Sequence, residues 1–180
     1  MVPEATLSRT DAGLVPEGEG WFVLNARDAP WFERDKFGSA CIFEGEPRFQ
    51  DIGLNIRVLQ PGQPNCMYHG ESTQEDFLVL AGECLLVVQG EERRLGQWDF
   101  VHCPPWTEHV FVGAGSGPCV ILMVGGRRPD KQLKYPVEET ALTHAAGVEQ
   151  ETNSAKEAYS RYARPEPRPY REGDLPWMDG

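Results

Sequence analysis

Four side chains between residues 69 and 109 are suited to holding a cation. In Tyr68-His69-Gly70-Glu71, His69 and Glu71 stand two apart, and in an extended segment such residues leave the same face. Glu75 follows past a short bend. His109 ends Pro104-Pro-Trp-Thr-Glu-His109, just before another apolar run. If the two segments are antiparallel neighbours, His69, Glu71, Glu75 and His109 converge on one interior point. Two imidazoles and two carboxylates suit Fe(II), Mn(II), Co(II), Ni(II) or Zn(II), and fit Cu(I) or a thiolate site poorly. The alternative is a metal-free pocket in which His69 and His109 hydrogen-bond a polar ligand.

These residues sit among elements that must position them. Ile52, Leu54, Ile56 and Val58 alternate with Gly53, Asn55 and Arg57 until Pro61-Gly62, which predicts a strand with one apolar face. Short β-prone runs follow at Asp76–Leu80, Cys84–Val88, Trp98–His102, His109–Val112 and Cys119–Val124, separated by Gly and Pro. Another is expected at Trp21–Leu24, and a turn at Asp28–Phe32. Such spacing without helical periods predicts an all-β antiparallel sandwich or barrel over residues 21–126. Residues 1–20 lack a period and read as a flexible arm. Residues 127–180 read as a C-terminal extension. It has a capping box at Ser154-Ala-Lys-Glu157 that starts a short helix to Tyr162, and a second helix candidate at Glu138–Ala146.

The chain of 180 residues carries 17 Lys and Arg against 28 Asp and Glu, a net charge of -11. The extension is nearly neutral, so the acid excess lies in residues 1–126. That balance argues against nucleic acid, whose binding draws on clustered Lys and Arg. No apolar run approaches the roughly 20 residues of a membrane-spanning helix, and no secretory signal is legible. Five Cys, an odd number without a C-x-x-C pair, suit a reducing compartment, so the cytoplasm is expected. Cys66, Cys84, Cys103 and Cys119 read as small core residues, and His102 as structural.

Residues 62–112 resemble the two signature motifs of the cupin superfamily, G-x5-H-x-H-x3,4-E-x6-G and G-x5-P-x-G-x2-H-x3-N. Glu75 and Gly82 reproduce the end of the first; Pro104 and His109 reproduce the spacing of the second. Six residues rather than five separate Gly62 from His69, Glu71 replaces the second His, and Trp98, Trp106 and Gly113 replace two Gly and the Asn. The resemblance implies a single double-stranded β-helix, or jelly-roll, barrel. It also implies one divalent ion on His69, Glu71, Glu75 and His109, with Fe(II) or Mn(II) foremost.

A metal-dependent enzyme acting on a small organic molecule in the barrel follows, either dioxygenase-like or isomerase-like. In the isomerase form Glu71 or Glu75 moves a proton. Arg57 and Asn55 on one strand face, and Trp106 near His109, are candidate substrate contacts. A non-catalytic binding or sensor barrel is the other class. Tyr159, Tyr162, Tyr170 and Trp177 in the tail offer apolar surface for packing on the barrel or for a homodimer.

Overall fold

The structure, a computed structural model, describes residues 1–34, 36–46 and 48–175. The strands in chain order are β1 (Thr6–Thr10), β2 (Gly13–Glu17), β3 (Trp31–Arg34), β4 (Gly38–Ile42), β5 (Ile52–Leu59), β6 (Gly70–Glu71), β7 (Glu75–Ala81), β8 (Glu83–Val88), β9 (Glu91–Leu95), β10 (Phe100–Cys103), β11 (His109–Ala114), β12 (Cys119–Gly126), β13 (Leu133–Lys134) and β14 (Glu166–Arg168). Two short helices, α1 (Glu139–Thr143) and α2 (Ala155–Ala158), lie in the C-terminal third. Seven strands form one antiparallel sheet in the order β10-β7-β12-β5-β4-β3-β14, and β11-β8-β9 form a second. The sheets do not close into a continuous barrel. None of the described helices is long and apolar enough to cross a membrane.

The core between the sheets is built from Leu59, Phe77, Val79, Leu86, Phe111, Ile121 and Met123, with Cys84, Cys103 and Cys119 filling small gaps. All five cysteines are free, and Cys66 is the one not fully buried. The alternation of β5 has a less usual use. Ile56 and Val58 pack outward against Trp31, Cys41 and Val120, a second core covered by Tyr170 and Leu175. The polar face, with Asn55 and Arg57, lines an interior cavity.

Gly82 joins β7 to β8 with φ +72°, and a Cβ there would lie 2.3 Å from the Pro118 carbonyl oxygen. The turn thus needs both left-handed backbone and no side chain. Gly82→Ala is expected to cost about 2 kcal/mol or more, from left-handed strain plus a backbone clash. Chemical denaturation checks this; a loss below about 0.5 kcal/mol would contradict it.

Several expectations need correction. The N-terminal segment read as an arm contains the β1–β2 hairpin, tied to the body by Leu14 N–H donating to the Asp28 carbonyl (2.6 Å). Its residues are half exposed, so backbone pairing rather than an apolar period holds it. Trp21–Leu24 is not a strand: Trp21 makes one isolated bridge to Glu4. The turn at Asp28 is present, but Trp31 and Phe32 already belong to β3.

The extension is woven into the sheets, since β14 pairs with β3 and β13 with β6. Both helix candidates form but stay short. Glu138 caps α1 by accepting from Ala141 N–H (2.6 Å), and Ser154 caps α2 by accepting from Glu157 N–H (3.3 Å). The helix expected to run to Tyr162 stops at Tyr159. There Tyr159 and Tyr162 turn into the body against Phe37, with ring centroids 5.4 and 4.9 Å away. Trp177 lies outside the described residues.

Candidate metal centre

Pairing of the two sheets' margins builds the site. His69 and His109 face each other across an antiparallel bridge, with His109 N–H to His69 O at 2.9 Å and His69 N–H to His109 O at 3.2 Å. Glu71 lies in β6, and Glu75 opens β7. The result is a tight group: His69, Glu71 and Glu75 each offer a ligand atom within 4.8 Å of the others. His69 Nε2 is 3.4 Å from Glu71 Oε1, and His109 Nε2 is 3.7 Å from Glu75 Oε2. For metal–ligand bonds near 2.1 Å, ligand atoms around one ion stand about 3.0–3.4 Å apart, so both separations are close to those of shared coordination.

The imidazoles are oriented from behind. His69 Nδ1 lies 2.9 Å from the Met67 carbonyl and His109 Nδ1 2.9 Å from the Thr107 carbonyl. An Nδ1–H donated to a carbonyl leaves the Nε2 lone pair free, the arrangement that metal-binding histidines use. Tyr135 stacks on the His69 ring at 5.6 Å, and Phe77 meets the His109 ring edge-on at 5.1 Å.

The charges divide the two carboxylates. Burial raises the Glu71 carboxyl, but the His69 hydrogen bond and Lys131 outweigh it and hold Glu71 below the usual range. Lys131 Nζ contacts Glu71 Oε2 directly. Glu75 is pushed up to about 7, first by burial and then by the Glu71 charge. Burial, with the nearby His69, lowers His109 to about 4, which keeps it neutral. Burial would also lower His69, but Cys66, Glu71 and Glu75 win and raise it well above its ordinary value. Together these groups hold protons that a dication would displace.

A cavity of about 290 Å³ opens beside the group. His69, Glu75 and His109 line it, as do Asn55 and Arg57 from β5; Glu71 sits behind, against Lys131. Trp106 does not line this cavity. It is 46% exposed, held by its N–H to the Glu71 carbonyl (2.6 Å) with φ 69°, so its ring faces a separate surface cleft with Lys131 and Asn153. The sequence reading missed Lys131, which reaches the site because β13 pairs with β6. It also missed Glu44, a buried carboxylate joining Arg48 (3.1 Å) and Arg127 (2.6 Å) at the cavity wall. Neither has a local motif to reveal it.

Residues 55–125 match the sequence family described as the cupin domain. This segment is a cupin domain. Around it, the cupin architecture extends to solved structures of low identity. A sugar phosphate isomerase of the cupin superfamily from Silicibacter pomeroyi is 20% identical over 66% of this chain and 88% of its own, with a TM-score of 0.57. A predicted oxalate decarboxylase from Thermotoga maritima is 15% identical over 59% of this chain and 100% of its own, with a TM-score of 0.53. A provisionally assigned sugar phosphate isomerase from Acidithiobacillus ferrooxidans is 23% identical over 47% of this chain, with a TM-score of 0.45; the chain spans 55% of its length. At these identities the likeness establishes the fold alone. A search of curated proteins finds no match to the chain.

The donor set fits a divalent ion, and protonation gives a check. In the metal-free fold Glu75 keeps its proton to about pH 7, against an ordinary value of 4.5. The folded state therefore binds more protons than the unfolded state between these limits. Stability from this group is full below about 4.5 and lost as pH rises through about 7. A bound dication favours the ionised carboxyl and reverses that loss. The thermal stabilisation by added Mn(II) is expected to grow between about pH 5.5 and about pH 8. A shift that stays flat or shrinks over this range would contradict the assignment.

Proposed function

We propose that the protein is a metal-dependent isomerase acting on a small organic molecule in the cupin cavity. The observation that carries this reading is Glu75. It is a carboxyl that lines the substrate space with its proton held to near neutrality, beside a donor cluster suited to a cation. Glu71, kept ionised by His69 and Lys131, would hold the ion with His69 and His109. A divalent ion bound there supplies Lewis-acid polarisation of a carbonyl oxygen. Glu75 would then take a proton from the carbon beside that carbonyl and return it to a neighbouring position. A general acid or base works best with a pKa near the working pH, which favours Glu75 over the strongly ionised Glu71 for this task. The name of the Silicibacter pomeroyi structure, a sugar phosphate isomerase, is in keeping with proton transfer in such a site.

Incubating the Mn(II)-loaded protein in D2O with a panel of small hydroxyaldehydes, hydroxyketones and their acids tests the reading. Proton NMR should show deuterium entering next to the carbonyl. Glu75→Gln should slow this by about 100-fold or more, the scale of a lost acid–base group, while metal stays bound. Exchange unaffected by Glu75→Gln, or no exchange across the panel, would overturn it.

A further inference from the structure

Arg57 lies near the middle of β5 with no acid matched to it among the described residues. Its side chain lines the cavity. Nη1 donates to the Phe37 carbonyl at 3.4 Å, and Nε is buried with no hydrogen-bond partner. The cavity's other cations are engaged: Arg48 and Arg127 share Glu44, and Lys131 is on Glu71. Burial lowers the Arg57 pKa, Cys66 and Tyr159 oppose that, and another guanidinium, Arg34, adds to it; the Arg34 Nε is also buried and unmatched. Two positions along the same strand, Asn55 Oδ1 is buried without a donor, and Asn55 lines the same cavity. Buried polar atoms in folded proteins nearly always find a partner. Here one donor, Arg57 Nε, and one acceptor, Asn55 Oδ1, go without on residues that line one cavity.

We propose that Arg57 and Asn55 form the binding site for a small hydroxycarboxylate. The Arg57 Nε–Nη2 edge grips the carboxylate, and Asn55 Oδ1 accepts from a hydroxyl. With Nη1 on Phe37, the free edge of the planar guanidinium is the side-on fork that matches the two oxygens of a carboxylate. Among the described residues Arg57 is the one guanidinium that lines the cavity without an acid, and its charge balances a monoanion there; Arg34 does not line the cavity. The two residues stand roughly 7 Å apart along the strand, so the hydroxyl lies on the ligand's chain at a distance from the carboxylate. A cavity of about 290 Å³ holds roughly ten waters at about 30 Å³ each, the size of an acid of about four to six carbons. The inference rests on the cavity being the substrate site, and it narrows the substrate of the proton transfer assigned to Glu75 to carbonyl compounds that also carry a carboxylate and a hydroxyl.

Titration calorimetry on chelator-treated protein tests it, because the ion then contributes nothing. The probes are threonate, its uncharged counterpart erythritol, butyrate and inorganic phosphate. Threonate should bind. Erythritol and butyrate should each bind at least tenfold more weakly, and phosphate more weakly than threonate. Arg57→Lys, which keeps the charge but loses the fork, should weaken threonate at least tenfold. Asn55→Leu should bring threonate to the level of butyrate while leaving butyrate unchanged.

Arg57→Met removes an unmatched buried charge, so its melting temperature should equal or exceed that of the wild type. A clear fall would assign Arg57 to the structure instead and overturn the proposal. Threonate binding unchanged in Arg57→Lys, erythritol binding as tightly as threonate, or phosphate binding more tightly than threonate would each overturn it as well. Metal uptake measured on the same samples separates the two readings. Metal without threonate binding removes the hydroxycarboxylate site and leaves the metal centre standing; threonate binding without metal uptake does the reverse.

Discussion

His69→Ala is expected to lower the affinity for Mn(II) by about 100-fold or more. Its ring supplies one of three donor atoms within 4.8 Å of one another, and its Nε2 is the group 3.4 Å from Glu71. Substituting residues that only orient a ligand typically costs about 10- to 100-fold in metal affinity, so loss of the ligand itself belongs at or beyond the top of that range. The backbone bonds between residues 69 and 109 do not need the ring, so the bridge and the fold should persist. A competition titration against a fluorescent chelator reads the change. A loss smaller than tenfold would mean that His69 does not ligate.

Phe37→Ala should be the most destabilising of these substitutions, at about 3–5 kcal/mol. Phe37 is 2% exposed and forms one cluster with Met67, Tyr135, Val148 and Ala158, so its ring joins the β3–β4 turn to the C-terminal segment. The site depends on that junction. Tyr159 accepts from the Met67 N–H through its hydroxyl (2.9 Å), the Met67 carbonyl is paired with His69 Nδ1, and Tyr135 stacks on the His69 ring. Loosening the cluster should therefore also weaken metal binding by about tenfold, as loss of an orienting contact does. Denaturant unfolding and the same chelator titration measure both effects. A stability loss below about 1 kcal/mol would show that the extension folds independently of the barrel.

The strands with strong apolar alternation or continuous apolar runs were legible in the sequence: β5, β7, β8, β11 and β12 all lie where the pattern puts them. What pattern could not report is pairing between distant segments. The β1–β2 hairpin buries little, so it leaves no period. β13 and β14 are two and three residues long and exist only because β6 and β3 offer free edges. Lys131 and Glu44 reach the cavity by the same long-range route, with no spacing to give them away.

Of the four residues that type and spacing suggest, the structure gathers His69, Glu71 and Glu75 within 4.8 Å of one another, while His109 lies outside that group, 3.7 Å from Glu75. Their difference in protonation was not readable, because it depends on burial and on Lys131. Trp106 was suggested by nearness in sequence to His109, but the left-handed turn at residue 106 points the chain differently. For Asn55 and Arg57 the polar face of β5 was visible in the alternation. That this face turns inward, while Ile56 and Val58 pack outward beneath the extension, follows only from how β3, β4 and the C-terminal segment cover the sheet.

The metal centre stands or falls on whether this cupin domain takes up a divalent ion at His69, Glu71 and His109, with Glu75 beside it. Elemental analysis of wild-type protein purified without chelators, and again after reconstitution with Mn(II) or Fe(II), tests it most directly. Close to one transition-metal ion per chain is expected, retained through gel filtration at pH near 8 and released as acid protonates the imidazole and carboxylate ligands. Protein that carries no metal and takes up none on reconstitution would contradict it.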